Sequence, residues 1–489
     1  MPTSRPTVNK SVFGASRECA AKGWFTKHVR PSRPLDAGAR MRSEQGNLVG
    51  ARARLLFPDG ILISTSTRQD EVAETARLMN DGQVQTLFEP CFKAGDFIAR
   101  ADILTREDDG WHLIEVKSGT QLKTEYIQDV AYTATVARLT DIRLARVSLM
   151  ILNKEYLLGD PLDSQFATLD VTAEVETLIP EFRAMMDGLP EILCRDSPPD
   201  ATISPVCRNC EFFQSDCVGK EIIHPIFDLP RITKQQCGAL LRSGWKSILD
   251  VSSSRLINQR QKDVLKSVKK GKMVVNGARL RELLGQVKWP VYYLDFESLT
   301  VAMPFYPEVR PYEQVLTQYS LHVFAGPGEQ QRHSEYLADP ARDCREELAE
   351  VLLRDLEEKG SVVVYSHFEK TILEALAIRF PGIADRVEAV LARLFDLRQV
   401  FGSAIYHPEF RGSESIKYTL PALTDMTYED LNLKNGQEAV AAFLELANGG
   451  LEHEVFQQRR KDLLDYCARD TLAMVRLHHV AMDILERHS

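Results

Sequence analysis

Apolar and polar positions fall into two blocks along this chain, separated by a stretch that reads as helical. In the first block the pattern predicts a helix over residues 69–80 and strands at 85–89, 96–104 and 111–116, followed by a helix over 124–139. The turn at residues 106–110 is rich in Asp and Gly, as a hairpin requires. Residues 222–285 read as helical and connecting. The second block restarts with a strand at 291–295. Strand-like runs at 319–324 and 332–337 then flank the turn Gly326-Pro327-Gly328. A helix at 341–357, a buried strand at 362–366, a helix at 370–380 and a closing helix at 461–487 complete it. There is no internal repeat and no long low-complexity segment.

At 489 residues the chain exceeds one typical core, so we divide it into residues 1–221, a connector at 222–285 and residues 286–489. The fold class is α/β in both blocks. Three meandering strands followed by helix, strand and helix is the order of a ribonuclease H-like, three-layer domain. Within the connector, residues 229–251 resemble a helix-hairpin-helix element with Gly244 at the turn; a plain linker helix pair is the alternative.

Composition narrows the function classes. Hydrophobic residues make up 44% and charged residues 26%, an ordinary globular balance. No apolar run approaches the ~20 residues that span a bilayer, and the polar start has no signal-peptide core, so the expectation is a cytoplasmic protein without a membrane segment. Nine cysteines in such a compartment point to reduced thiols or metal ligation rather than disulfides. The net charge of −9 argues against broad coating of nucleic acid. Locally the balance reverses: nine Lys/Arg stand against Asp263 between Arg255 and Arg281, and residues 1–54 hold eleven against Glu18, Asp36 and Glu44. Such stretches either track a phosphate backbone or form solvated helix faces.

Asp102 lies in FIARADIL, and Glu115 and Lys117 lie two apart in LIEVKSG, hence on one face of a strand. Two carboxylates and an ammonium converging in this way suit phosphodiester hydrolysis, in which Mg²⁺ polarises phosphate and water. Gln128 and Tyr132 follow four apart on one helical face. With these five residues, Asp102, Glu115, Lys117, Gln128 and Tyr132, roughly residues 11–220 resemble the RecB-like branch of the PD-(D/E)XK nucleases, a restriction-endonuclease-like fold. Iron–sulfur members of that branch often carry an upstream His, and the corresponding segment EQGNLVGARARLLFPDG contains none.

Cys207, Cys210 and Cys217 lie within one short loop. A closed site needs a fourth ligand, and spacing alone leaves Zn²⁺ and a [4Fe–4S] cluster both open. The resemblance to CRISPR-associated and AddB-like nucleases implies [4Fe–4S], with Cys19 from an N-terminal helix as fourth ligand and Cys194 as its rival.

In VYYLDFESL, Asp295 and Glu297 share a face of a strongly apolar strand, a placement that calls for a cation between them. In DYCARDTLAM, Tyr466 and Asp470 share a helical face. This combination resembles the DEDD exonucleases of the tyrosine subtype, which implies two Mg²⁺ or Mn²⁺ ions on the carboxylates and a tyrosine that orients the attacking water. Where that family has NxxFD in its middle motif, this chain has Ser366 and Glu369; Asp396 is the second candidate for the missing carboxylate. The segments PYEQVLTQYSLHVF, GSESIKYTLPAL and YCARDTLAM also resemble an uncharacterised bacterial domain family whose members follow RecB-like nuclease domains. Lys417 and Tyr418, in the second segment, either contact phosphate or cover the sheet.

These readings lead us to expect a metal-dependent nuclease acting on single-stranded DNA or DNA ends, in repair, recombination or defence. A nucleic-acid-binding scaffold with one or both sites silent is the alternative.

Overall fold

A computed structural model describes residues 7–29, 37–252, 254–326 and 331–488, so the turn expected at Gly326-Pro327-Gly328 lies partly outside the described residues. The chain is mixed α/β and divides into two compact units. The first comprises Met1–Thr202, Cys210–Val218 and Val301–Glu313; the second comprises Ile203–Asn209, Gly219–Thr300 and Gln314–Ser489. No helix among the described residues is long and apolar enough to cross a membrane.

The first unit is built on a six-stranded sheet in the order Ile61–Leu62, Thr86–Phe88, Ile103–Glu107, Gly110–Lys117, Leu144–Leu152 and Phe166–Asp170. Period-two alternation sorts the strand Gly110–Lys117. Trp111 and Leu113 join the core formed with the helices Thr124–Arg138 and Thr172–Leu193, while Ile114 packs with Ala53, Phe88, Ile103 and Met150 on the other face. Glu115 and Lys117 follow the parity of Leu113. The strand expected at 96–104 is in fact two, Phe97–Arg100 in a two-stranded sheet with Cys91–Ala94 and Ile103–Glu107 in the large one. Pro90 has no N–H to continue a ladder, and Glu89 stands at φ 59°, so the pairing partner bends away there. Asp102 sits at the break.

The second unit has a five-stranded sheet in the order Arg332–Leu337, Val315–Phe324, Val291–Leu299, Ser361–Val364 and Leu394–Asp396. The first two junctions are antiparallel and the last two parallel. On the central strand, Tyr292, Leu294 and Phe296 pack with the helices Arg345–Asp355 and Phe368–Arg379. The opposite parity meets the long helix His453–Arg487: Tyr293 Oη lies 2.6 Å from His478 Nδ1 and Cys467 Sγ lies 3.5 Å from Asp295 Oδ2. A register shift after Glu297 interrupts the pairing with Val315–Phe324.

Residues 222–285 belong to the second unit rather than standing apart. Their short strand Val274–Val275 pairs with Ile405–Tyr406. Gly412 (φ +76°) approaches them so closely that a Cβ there would fall 2.0 Å from the Asp228 carbonyl oxygen. The helix pair expected over residues 229–251 is not formed; one α-helix, Lys234–Arg242, is followed by the single 3₁₀ turn Ile248–Asp250. Asp250 Oδ2 accepts the backbone N–H groups of Lys246 (2.9 Å) and Ser247 (2.8 Å), closing that turn where a second helix would begin.

Candidate functional site

Each unit assembles an acidic group, and the two differ in how their charge is balanced. In the first, Asp102 accepts a 2.6 Å hydrogen bond from the Val116 backbone N–H, which fixes its carboxylate beside Glu115. Burial, reinforced by the neighbouring Glu115 charge, pushes the Asp102 carboxyl up to about 7. Burial also pushes on Glu115, yet the ammonium groups of Lys10 and Lys117 outweigh it and hold its carboxyl below the usual range. Lys10 Nζ bonds Glu115 Oε1 directly, and Lys117 Nζ lies 3.1 Å from the same oxygen and 2.7 Å from Asp129 Oδ2. Desolvation lowers Lys117, but Glu115 and Asp129 prevail and leave it above its ordinary value. Glu115 Oε2 is buried without a hydrogen-bond partner.

Gln128 and Tyr132 do share a face, and both line a cavity of about 480 Å³ with Lys10 and Arg17. The Tyr132 hydroxyl, however, is committed to the backbone, donating to the Val8 (2.7 Å) and Ile98 (3.2 Å) carbonyl oxygens. Its chemistry is to tie the N-terminal segment to the Phe97–Arg100 strand. A second cavity, of about 750 Å³, reaches Asp102 past Lys10, Lys27, Arg68, Lys93 and Arg100.

In the second unit, one ligand atom each from Asp295, Glu297 and Asp470 lies within 4.8 Å of the others, the one such metal-ligating group among the described residues. Asp295 and Glu297 come from alternate positions of the central strand, and Asp470 from the helix crossing it. Glu369, buried in the first turn of its helix, joins them electrostatically and accepts a 3.2 Å hydrogen bond from Ser366 Oγ. Burial raises all four carboxyls, Asp295 and Glu297 well above their ordinary values, Glu369 to about 7 and Asp470 to about 6. Like charge adds to it: Asp470 and Glu369 both act on Asp295 and Glu297. At Asp470, hydrogen bonds from Tyr428 and Tyr466 and the charges of Lys417 and Arg469 work against its burial.

Asp396 stands at the end of its strand, with Oδ1 accepting the Arg398 backbone N–H at 2.9 Å and Oδ2 4.0 Å from His367 Nδ1. It acts on Glu369 but is not part of the triad. Lys417 donates to the Lys434 carbonyl oxygen (2.7 Å) and lies over the rings of Tyr428 (5.8 Å) and Tyr466 (5.9 Å), whereas Tyr418 is exposed.

None of the nine cysteines, all among the described residues, is joined in a disulfide. Cys19 is the residue before the helix Ala20–His28, and Phe25 of that helix stacks on Phe212 at 5.3 Å, seating the Cys210–Val218 loop within the first unit. Cys207 falls in the second unit, and Cys194 is exposed.

Three contributors escaped the sequence reading. Lys10 and Glu115 are 105 positions apart, and nothing local marks that lysine as a partner. Tyr428 bonds Asp470 from a loop with no motif, 42 positions upstream. Cys467 was visible as a neighbour of Tyr466, but its contact with Asp295 needs the helix docked on the sheet.

Residues 292–415 match the family described as a domain of unknown function (DUF2779), a segment that contains Asp295, Glu297 and Glu369 and stops short of Asp470. The chain is similar to the "Uncharacterized protein MG366 homolog" of Mycoplasma pneumoniae, 26% identical over 237 residues that make up 44% of this chain and 35% of that one. It is also similar to "Uncharacterized protein MG366" of Mycoplasma genitalium, 22% identical over 232 residues, 43% of this chain and 35% of that one. The matched stretch therefore spans about a third of the length of these relatives. Among solved structures, LHK-Exo in complex with dAMP overlaps 38% of this chain and 91% of its own at 16% identity, with a TM-score of 0.23. A superposition that loose establishes neither a fold nor an activity.

Proposed function

We propose that this protein is a metal-dependent nuclease whose principal site is the carboxylate group of the second unit. The observation that carries this reading is the triad Asp295, Glu297 and Asp470, gathered within 4.8 Å with Glu369 beside it. Carboxylates drawn together out of water repel one another and must either bind protons or share a cation. Lys417 and Arg469 relieve this only in part, chiefly at Asp470. Lys417 is engaged by a backbone carbonyl, and Arg469 pairs at 2.7 Å with Asp430. An all-oxygen donor set suits a hard cation such as Mg²⁺ or Mn²⁺. Held there, such a cation supplies the positive charge against which a phosphate oxygen and an attacking water are polarised. Asp295, Glu297, Asp470 and Glu369 are its candidate ligands. Tyr466 and Tyr428 orient the Asp470 carboxylate by hydrogen bonding, and Tyr466 is the group from this helix suited to aligning the water.

The strand order of the second unit, with its acids on the central strand and the crossing helix, supports a ribonuclease H-like, DEDD-type assignment with Glu369 in the middle position. For the first unit we propose a PD-(D/E)XK, RecB-like site on Asp102, Glu115 and Lys117, where the unpartnered Glu115 Oε2 is a donor free for metal. Gln128 lines the approach and Tyr132 braces it. The basic cavity that reaches Asp102 suits a phosphodiester strand. The [4Fe–4S] assignment to Cys19, Cys207, Cys210 and Cys217, with Zn²⁺ as its alternative, rests on the sequence. Four thiols outside any disulfide supply suitable ligand chemistry. Iron, sulfide and zinc analysis of anaerobically purified protein decides between them. Substrate preference for DNA ends or single strands, and a role in repair, recombination or defence, belong to the same proposal.

The test is incubation of the full chain with end-labelled single-stranded DNA and RNA in Mg²⁺ or Mn²⁺. Degradation that chelation abolishes supports the nuclease reading. Intact strands under every metal, with binding retained, leave a nucleic-acid-binding scaffold instead.

A further inference from the structure

The 222–285 segment carries a run of basic residues that the acidic cluster does not use. Within the second unit it forms part of a cavity of about 600 Å³, lined by Arg231, Arg260, Arg279 and Arg398, with His367 and Asp396 also in its wall. The chain as a whole has 69 acidic and 60 basic side chains, so four guanidinium groups around one cavity stand against its overall balance. Part of the charge is answered: Glu414 lies 3.9 Å from Arg231 and 3.8 Å from Arg260, and Arg279 pairs with Glu282 at 2.6 Å. Part is not. Arg260 Nε is buried with no hydrogen-bond partner, while Arg398 is balanced only in part, by the charge of Asp396 in the same wall. Two contacts fix the Arg260 guanidinium: it donates to the Phe401 carbonyl oxygen and lies 5.4 Å over the Tyr406 ring. The cavity wall is tied to the acidic cluster through His367, which adjoins Ser366, whose hydroxyl donates to Glu369.

Planar guanidinium forks with unused donors match the tetrahedral oxygens of a phosphate. We propose that this cavity binds a phosphate of a nucleic-acid strand other than the one presented to the carboxylate cluster, so that residues 222–285 guide the strand. The inference rests on the nuclease reading of the second unit. It gives that reading a binding subsite in addition to its metal ligands.

The experiment measures binding apart from cleavage. A fluorescein-labelled single-stranded DNA is titrated with the full chain in EDTA, where no hydrolysis occurs, across a range of salt concentrations. Arg398→Gln and Arg231→Gln are compared with wild type and with Arg332→Gln, an exposed control arginine paired with Glu357 at 3.1 Å. We expect each cavity variant to weaken binding about tenfold and to lower the salt slope by about one, with the control unchanged. Arg231 is 85% exposed at its side chain, so its variant keeps the test sound even if Arg398→Gln misfolds. Unchanged affinity in the cavity variants overturns the proposal, as does a wild-type protein that binds no strand. Inorganic phosphate or dAMP binding that the variants lose, without any loss of strand binding, also overturns it in favour of a small-ligand pocket. Strand binding that responds as expected, in a protein that cleaves nothing in Mg²⁺ or Mn²⁺, preserves the subsite and removes the nuclease reading.

Discussion

The two acidic groups solve the same electrostatic problem in opposite ways. In the first unit, Asp102 and Glu115 are met by Lys10 and Lys117, and Glu115 stays ionised although buried. In the second, burial raises Asp295, Glu297, Glu369 and Asp470 alike, like charge adds to it at the first three, and tyrosine hydroxyls with Lys417 and Arg469 only partly offset it at Asp470. The first site carries its own cations; in the proposed function the second draws one from solution. On the function proposed above, the motif complete in sequence is then the weaker of the two metal centres. The PD-(D/E)XK pattern is intact on paper but half-neutralised in space, whereas the cluster with a substituted middle position has the greater demand for a divalent ion.

The largest expected effect separates the two sites by activity. Asp295→Ala should reduce degradation of an end-labelled strand by about three orders of magnitude, the scale of losing a principal source of transition-state charge stabilisation. Asp102→Ala should leave most of that degradation in place. A reversed pattern in the same gel assay inverts the comparison.

Next in size is the pH dependence of stability in chelator. The folded-state values of Glu369 (about 7) and Asp470 (about 6) lie above their unfolded ones. Their contribution is thus fully present below the unfolded values and is lost as pH rises through the folded ones. Between about pH 4 and pH 7 the metal-free protein should lose a few kcal/mol, and saturating Mg²⁺ should restore much of it. Thermal unfolding with and without metal reads this directly, and a Glu369→Gln variant should flatten the slope.

Removing Lys10 tests the other side. Lys10→Met should cost roughly 1–3 kcal/mol of stability in chelator by stripping a partner from buried Glu115, and should tighten Mn²⁺ binding at the first site. Equal Mn²⁺ affinity in both proteins contradicts the idea that this lysine competes with metal. The smallest effect is expected from Tyr428→Phe, which leaves Asp470 with one fewer donor and should cost about 1 kcal/mol. A urea titration resolves a change of that size.

What was legible in the sequence follows from the range of each interaction. Alternation in VYYLDFESL placed Asp295 and Glu297 together, and helical spacing placed Tyr466 and Asp470 together, because both patterns are local. The break at Asp102 depended on Pro90 and on the positive φ of Glu89, a feature of the partner strand. Helical spacing puts Tyr132 on one face with Gln128, but the fate of its hydroxyl depends on Val8, 124 positions away. Charge balance was the least legible property. The contacts of Lys10, Tyr428 and Lys417 with the acids exist only once distant segments have packed.

Direct titration of the metal-free full chain with Mn²⁺, followed by the loss of the free-ion EPR signal, tests the central claim most closely. Wild type and Asp102→Asn should both take up the ion at the tighter site, and Asp295→Asn should lose that uptake. Full tight binding in Asp295→Asn, or its loss in Asp102→Asn alone, would contradict the assignment of the principal metal centre to the second unit.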